Sequence, residues 1–372
     1  MLRLFRCFLI LQIVFSPTYS FASEPPRRGL FVSVIQDPPV LSSRADMERL
    51  LDFAVKARIN ILFVQVYRAG LAWFPSRCAD AAPYYECLDK TGVDPLAFLI
   101  EKAHKRGIEV HAWMNMLSLS RNENAFFLRK YGTGVLTRNI LPKNVLRDYR
   151  IDGQYFLEPG DPRVRKELCD IVEEAARYYP ALDGIQLDYI RYPDSRPFYG
   201  HTPANEARFM KETGIERITE DSRQWRGWKR AQVTDLLDTL VKRIRSVRHG
   251  IKVSATGCAP YCRAYEEAFQ DWPSWLSRGT VDFVTLMDYS PYPREFRKCI
   301  LELQDKFSSW DKVTIGIGAY KLVGLPLTFS EELDYCRRER GLSYAVFHYG
   351  SLLEDPAIAG LMTAEPLSGN TI

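Results

Sequence analysis

Residues 183–190 read DGIQLDYI, and this stretch decides the fold class because it joins a buried strand to a carboxylate at its end. Ile185 and Leu187 alternate with Gln186 and Asp188, so the two pairs point to opposite faces of the strand. The apolar face needs a layer of helices to cover it. On the other face, Asp188 needs a partner or solvent, because an unpaired buried carboxylate is costly. The pattern predicts a strand of a barrel with a polar site inside.

Seven further strand-like runs alternate with helical patterns along the chain. They are GLFVSV (29–34), INILFVQVY (59–67), IEVHAWMN (108–115), IKVSAT (251–256), VDFVTLMDY (281–289), KVTIGIGAY (312–320) and LSYAVFHY (342–349). Eight strands alternating with helices predict an α/β fold, a single-domain (β/α)8 TIM barrel. A doubly wound open sheet is the alternative, and it is disfavoured because no Gly-rich phosphate turn follows the first strand.

Two connections are unusually long: residues 116–160 after the third strand and residues 191–227 after the fourth. Both leave the carboxyl ends of their strands, which is the face of such barrels that carries active sites. We therefore expect these long loops to form the walls of a substrate cleft.

The same alternation assigns further candidates to the barrel interior. In the third strand, His111, Trp113 and Asn115 share one face, and in the second, Gln65 and Tyr67 do. Amide, carboxylate and aromatic groups together suit a sugar, whose hydroxyls form hydrogen bonds and whose apolar face stacks on rings. The full set of candidate substrate-binding residues is Gln65, Tyr67, His111, Trp113, Asn115, Gln186, Tyr189, Arg191, Tyr192 and Tyr289.

The first 22 residues have the pattern of a secretory signal peptide. Two arginines precede the apolar run CFLILQIVF (7–15), and Ser20-Phe21-Ala22 is a small-x-small cleavage pattern. The run is too short to span a bilayer permanently, and no later stretch is apolar enough for a transmembrane segment. We expect an exported protein, periplasmic or extracellular, with its domain at 27–353 and a C-terminal tail at 354–372.

Charge and histidine content narrow the possible partners. Of 372 residues, 50 are Lys or Arg and 46 are Asp or Glu, so the formal net charge is only +4 and we expect no nucleic-acid partner. The 5 histidines include no pair at metal-ligand spacing, so we expect no metal and no cofactor. Seven cysteines follow the leader. Cys78 and Cys87 flank a loop that they could close, and Cys258 and Cys262 lie in another loop, but the sequence does not determine the pairing.

The string GIQLDYIRYPD (184–194) resembles the signature of the family-10-like glycosyl hydrolases, the GHL10 group of exported bacterial proteins. Weaker matches keep the family's order over about residues 27–353. They are Arg28–Phe31, Val64–Arg68 with Phe74–Ser76, His111–Asn115, Leu157–Gly160, Trp225–Arg230, Asp271-Trp272 with Trp275, and Met287–Tyr289. The resemblance implies a TIM-barrel glycosidase of the cell envelope, cleaving a polysaccharide. It further implies peptidoglycan glycan strands that lack stem peptides.

Glycoside hydrolysis normally needs two carboxyl groups, a proton donor and a nucleophile or base. Asp188 is the first candidate, and Asp288, at the end of the sixth strand, ranks narrowly ahead of Glu158 and Asp194 as the second. If Met287 and Tyr289 face inward, however, Asp288 does not. Catalysis assisted by a substrate N-acetyl group would need only one protein acid with an orienting partner.

Two other functions stay open on the sequence alone. The first is a non-catalytic glycan-binding barrel protein of the cell envelope, which the missing second acid would favour. The second is a structural or assembly protein of the envelope, since a fold does not fix a function.

Overall fold

The computed structural model describes residues 25–307, 310–338 and 342–364, and within them eight parallel strands close into a barrel. Each strand pairs with its neighbours in chain order, and the last returns to the first. We number the barrel strands β1 (Arg28–Val32), β2 (Ile61–Arg68), β3 (Glu109–Asn115), β4 (Gly184–Asp188), β5 (Lys252–Cys258), β6 (Phe283–Asp288), β7 (Val313–Ile317) and β8 (Ser343–Val346). The predicted single-domain (β/α)8 barrel is confirmed.

Helices separate the strands and cover the outside of the barrel. They are α1 (Arg44–Lys56), α2 (Ala82–Thr91), α3 (Pro95–His104), α4 (Phe126–Tyr131), α5 (Pro162–Tyr178), α6 (Pro203–Thr213), α7 (Arg223–Val247), α8 (Tyr261–Glu266), α9 (Trp272–Ser277), α10 (Pro293–Lys306), α11 (Pro326–Arg338), α12 (Tyr349–Glu354) and α13 (Pro356–Thr363). Several begin with a capping side chain. Asp94 and Asp161, for example, each accept a hydrogen bond from a backbone N–H of the first turn, with proline following at the first helical position.

Two apolar layers hold the barrel together. The larger lies between strands and helices and includes the outward side chains Val110, Ile185 and Leu187. The smaller fills the interior and includes the rings of Phe63 and Trp113. Side chains therefore alternate between the layers as predicted for β3 and β4.

The expected boundary of a tail at residue 354 is too early. Helix α13 follows directly, and its Ile358 and Met362 are buried in the main core beside α11. The barrel thus extends at least to residue 363. The proposed leader, residues 1–22, lies outside the described residues, as does the end of the tail from 365. No helix in the described ranges is long and apolar enough to cross a membrane.

The long connection after β3 folds onto itself, and the one after β4 packs against it, since the backbone N–H of His201 donates to the carbonyl of Arg138 at 2.9 Å. Residues 118–120 pair antiparallel with 155–156, and the backbone N–H of Leu157 donates to the carbonyl of Leu117 at 2.8 Å. These pairings satisfy the backbone groups of the connection locally and bury its own apolar side chains. The 7 cysteines at positions 78 to 336 are all unpaired thiols, so the suggested loop closure by Cys78 and Cys87 does not form.

Candidate active site

A cleft of about 910 Å³ opens at the carboxyl ends of the strands. Its lining comes from the ends of β1 to β6 and from the segments that follow β1, β4, β5, β6, β7 and β8. From residues 116–160 none lines it, and from residues 191–227 only Arg191 does. The expectation that the long loops form its walls is therefore wrong, because the first loop pairs with itself and the second packs against the first.

Asp188 lies on the floor of this cleft, with 6% of its surface exposed. One carboxylate oxygen accepts a hydrogen bond from the indole N–H of Trp113 at 2.9 Å. The other accepts from the Thr256 hydroxyl at 2.6 Å and from the backbone N–H of Tyr189 at 2.7 Å. Tyr189 has a φ of 58°, in the left-handed region that a non-glycine residue rarely adopts. Three donors therefore hold one inward carboxylate in a fixed orientation.

Aromatic rings surround this carboxylate. Trp113 meets Phe31 edge-on at 5.2 Å and Phe347 at 5.7 Å between ring centroids. Phe347 in turn stacks on Tyr289 at 5.3 Å, and Tyr320 meets both of those rings at 5.7 Å. All five rings line the cleft. A carboxylate beside aromatic surfaces is the chemistry that binds a sugar ring.

Asn115 lies beside Asp188, since the two residues are paired in the register of β3 and β4. Its side-chain oxygen accepts a hydrogen bond from Gln65 at 3.2 Å, and Gln65 accepts from Ser33 at 3.1 Å. This chain fixes the amide so that its NH₂ group is the donor available to a ligand in the cleft.

Five predicted substrate contacts are completely buried and do not line the cleft, so we correct them to supporting roles. They are Gln65, Tyr67, His111, Gln186 and Tyr192. His111 and Gln186 lie on the inner face but too deep in the barrel. His111 sits between the rings of Phe63 and Phe283, where burial lowers its pKa, and Gln186 accepts from the Ser254 hydroxyl. His111 and Gln186 thus belong to the layers of side chains that fill the barrel below the site.

Tyr67 and Tyr192 do not reach the cleft, and the reason differs between them. The register of β2 with β3 shifts between Gln65 and Tyr67. Because of this shift, the Tyr67 side chain lies in the apolar layer between strands and helices. Such a bulge reverses the face that simple alternation assigns. Tyr192 instead donates a hydrogen bond to Glu158 at 2.5 Å. Glu158 is itself buried away from the cleft, so it does not reach a substrate.

Asp288 differs from Asp188 although both line the cleft. Asp288 lies on the same outward face of β6 as Leu286. Its neighbours there are Cys299 of α10 and Glu332 of α11. Burial raises the pKa of Asp288 to about 7, and its Oδ2 atom has no hydrogen-bond partner. It is therefore a proton-carrying acid at the edge of the cleft, on the opposite face of its strand from the cleft floor.

The candidate ligands taken from the sequence did not include the cleft rings of Phe31, Tyr320 and Phe347, nor two polar residues of the site. Thr256 bonds Asp188 directly, and Arg68 lines the cleft from the end of β2. The alternation of Ser254 and Thr256 with apolar residues in β5 is the signal that could have found the first. Asp194, the remaining candidate acid, does not line the cleft and pairs with Arg191 and Arg263. Within the described residues, no group of three or more metal-ligating side chains could hold a metal ion.

Fold and cleft thus define a TIM barrel with a sugar-binding type of active site. A family model described as "Glycosyl hydrolase-like 10" matches residues 30–327, and the chain belongs to this family. This confirms the resemblance and, with it, the predicted class of enzyme, a glycosidase.

Curated relatives agree with that assignment, and a solved structure shares the fold. Glycosyl hydrolase DigH of Escherichia coli (strain K12) is 27% identical over 358 residues, covering 83% of this chain and 76% of the relative. Glycosyl hydrolase YngK of Bacillus subtilis (strain 168) is 23% identical over 285 residues, covering 71% and 51%. The glycoside hydrolase domain of PgaB (BpsB) from Bordetella bronchiseptica shares the fold, with a TM-score of 0.63, 16% identity and coverage of 93% and 100%.

Proposed function

We propose that this glycosidase is exported and cleaves glycosidic bonds in a cell-envelope polysaccharide, namely peptidoglycan glycan strands that lack stem peptides. The observation that carries the proposal is the fixed carboxylate of Asp188 on the floor of an aromatic-walled cleft. The leader pattern at residues 1–22 supports export, and the family resemblance supports the polymer.

In the proposed reaction, the glycosidic bond breaks as a water molecule attacks the anomeric carbon from the side of Asp188, and the proton of this water passes to Asp188. Its oxygens accept hydrogen bonds from three protein donors, so it presents a negative charge to the oxocarbenium-like transition state of glycoside cleavage. Tyr289 and Trp113 provide ring surfaces for the sugar, and Asn115 provides a donor for a hydroxyl or acetamido oxygen.

We propose Asp288 as the proton donor to the leaving group, because a carboxyl group with a pKa of about 7 still carries a proton near neutral pH. Strands β4 and β6 are separated only by β5, so their backbones lie roughly 10 Å apart at ~4.8 Å per strand spacing. That separation, together with the opposite faces of the two aspartates, favours an inverting arrangement over the roughly 5–5.5 Å pair of a retaining enzyme.

Digestion of purified peptidoglycan tests the function. Intact sacculi and sacculi stripped by an amidase are incubated with the mature protein and with Asp188→Asn, and the products are identified by mass spectrometry. We expect glycan fragments from the stripped material that depend on Asp188. Fragments from neither substrate would contradict the proposed polymer, and binding of glycan without cleavage would favour the glycan-binding alternative.

A further inference from the structure

The side of the cleft formed by β2 and β4 carries uncompensated positive charge. Arg68 lines the cleft, and its guanidinium donates to the Ser120 hydroxyl at 3.3 Å. Within the described ranges, no carboxylate forms an ion pair with Arg68. Arg191 and Arg263 share the single carboxylate of Asp194, with a distance of 3.6 Å from Arg191 Nη1. Counted together with Arg68 and with Asp188, three guanidinium groups face two carboxylates, which leaves a net charge of +1.

The acids other than Asp188 that line the cleft belong to its opposite side. Asp288 ends β6 and Glu295 and Glu302 lie on α10, where Lys298 is within three or four residues of both glutamates. In the ring of eight strands, β6 is four positions from β2. The acidic side chains on that side therefore do not neutralise Arg68 by contact.

Arg68 is held in place by its backbone. Ala69 and Gly70, with φ of 56° and 78°, form a two-residue turn, and residues 71–72 pair back onto the end of β2. Positive φ at both central positions is the geometry of a tight hairpin turn. A guanidinium group that starts from a fixed hairpin loses less conformational freedom when it binds a ligand.

Tyr189 lies between Asp188 and the guanidinium groups of Arg68 and Arg191. The guanidinium carbon of Arg191 lies 5.0 Å from the centre of the Tyr189 ring. Burial and Asp188 raise the pKa of Tyr189, whereas Arg191 and Arg68 act in the opposite direction. Both arginines are thus within electrostatic reach of a phenol next to the proposed catalytic carboxylate.

We propose that Arg68 and Arg191 form a subsite beside Asp188 that binds a carboxylate substituent of the sugar. This inference rests on the proposed function and gives its substrate class, an anionic glycan. In peptidoglycan the stem peptide is joined by an amide to the lactyl carboxyl group, so the carboxylate is free only after the peptide has been removed. The subsite would therefore select peptide-free strands by their charge, because arginine binds carboxylates through paired N–H donors.

Two substrates test the subsite, namely peptide-free glycan and the same glycan with its carboxyl groups reduced to alcohols. We expect the unmodified enzyme to have a kcat/KM about 10-fold or more higher on the carboxylate form, as for one charge-assisted hydrogen bond. Arg68→Gln should lose most of that preference by raising KM, and Arg68→Lys should restore part of it. Arg177→Gln, which removes an exposed arginine from α5, is the matched control and should leave the preference unchanged.

The outcomes separate this inference from the function on which it rests. Equal cleavage of both substrates, or an unchanged preference in Arg68→Gln, would overturn the subsite while the glycosidase assignment stands. Cleavage of neither substrate would overturn the proposed polymer and the subsite together. Thermal unfolding of each variant establishes that a lost preference comes from the missing charge and not from a damaged fold.

Discussion

The ends of β4 and β6 carry the same dipeptide, Asp-Tyr, in opposite orientations. Asp188 points into the barrel and accepts three hydrogen bonds, and Tyr189 follows it in a left-handed conformation. At the end of β6, Tyr289 contributes a ring to the cleft, whereas Asp288 faces the helices with one unpartnered oxygen. The same two residue types thus produce a fixed carboxylate in one strand and a proton-carrying acid in the other. The role of each aspartate therefore follows from the face of the strand on which it lies.

The largest expected effect comes from removing each carboxylate in turn. Asp188→Asn should lower kcat by about 10³-fold or more, and Asp288→Asn by about 10²-fold, the range of a positioned acid or base. Since the pKa of Asp288 is about 7, activity should fall as pH rises above 7 in the unmodified enzyme, because the donor loses its proton. Rates of reducing-end formation from pH 5 to 9 measure both effects.

The Asp288 variant also distinguishes two mechanisms. If Asp288→Asn keeps more than about a third of the activity, no second protein acid of this kind is needed, and assistance by a substrate N-acetyl group explains the chemistry better. If Asp188→Asn instead retains full activity, the comparison between the two strand ends loses its basis.

A smaller effect is expected from the donors that orient Asp188. Thr256→Val removes the hydroxyl bonded at 2.6 Å, and Trp113→Phe removes the indole N–H bonded at 2.9 Å. Each should lower kcat by ~10-fold, as for one hydrogen bond to a charged group, with little change in the unfolding temperature. Thr256→Ser keeps the hydroxyl and is the matched control. Unchanged kcat in Thr256→Val would show that this bond does not orient the catalytic carboxylate.

The smallest effect concerns stability on the Asp288 side. Burial, and then the nearby Asp288, raise the pKa of Glu332 to about 8, and both of its oxygens are unpartnered. Between the ordinary pKa of a glutamate and pH 8, the native state binds more protons than the unfolded chain, so stability falls as pH rises through this window. We expect the unfolding temperature to drop by roughly 2–4 °C from pH 5 to pH 9.

Glu332→Gln should flatten that pH dependence, because it removes the carboxyl group whose ionisation is unfavourable when buried. Glu331→Gln, at an exposed neighbouring position, serves as the control. Thermal unfolding at several pH values measures the effect. An equal flattening in both variants would contradict the assignment of the effect to the buried carboxyl group.

Much of the fold and part of the site could be predicted from the sequence. Alternation in β3 and β4 placed Trp113, Asn115 and Asp188 on the inner face, and the structure brings them together at the cleft floor. Alternation gives the face of a strand but not the depth in the barrel, which is why His111 and Gln186 were wrongly expected to contact substrate.

The remaining errors come from features that have no clear local pattern. The bulge in β2 reverses the face of Tyr67, and nothing in the run of apolar residues marks its position. The length of the loops after β3 and β4 indicated cleft walls. Backbone hydrogen bonds within and between these loops, however, keep them away from the cleft. The charge pattern around Arg68 depends on which ion pairs form between distant segments, so only the folded chain displays it.

The most direct test of the account is a crystal structure of Asp188→Asn bound to a peptide-free glycan oligosaccharide. We predict that a sugar stacks on the rings of Trp113 or Tyr289, with room for one water molecule between its anomeric carbon and the side chain at position 188. We also predict its carboxylate beside Arg68. A sugar bound in the cleft with its scissile bond nearest a different carboxyl group, or bound outside the cleft altogether, would contradict the central role assigned to Asp188.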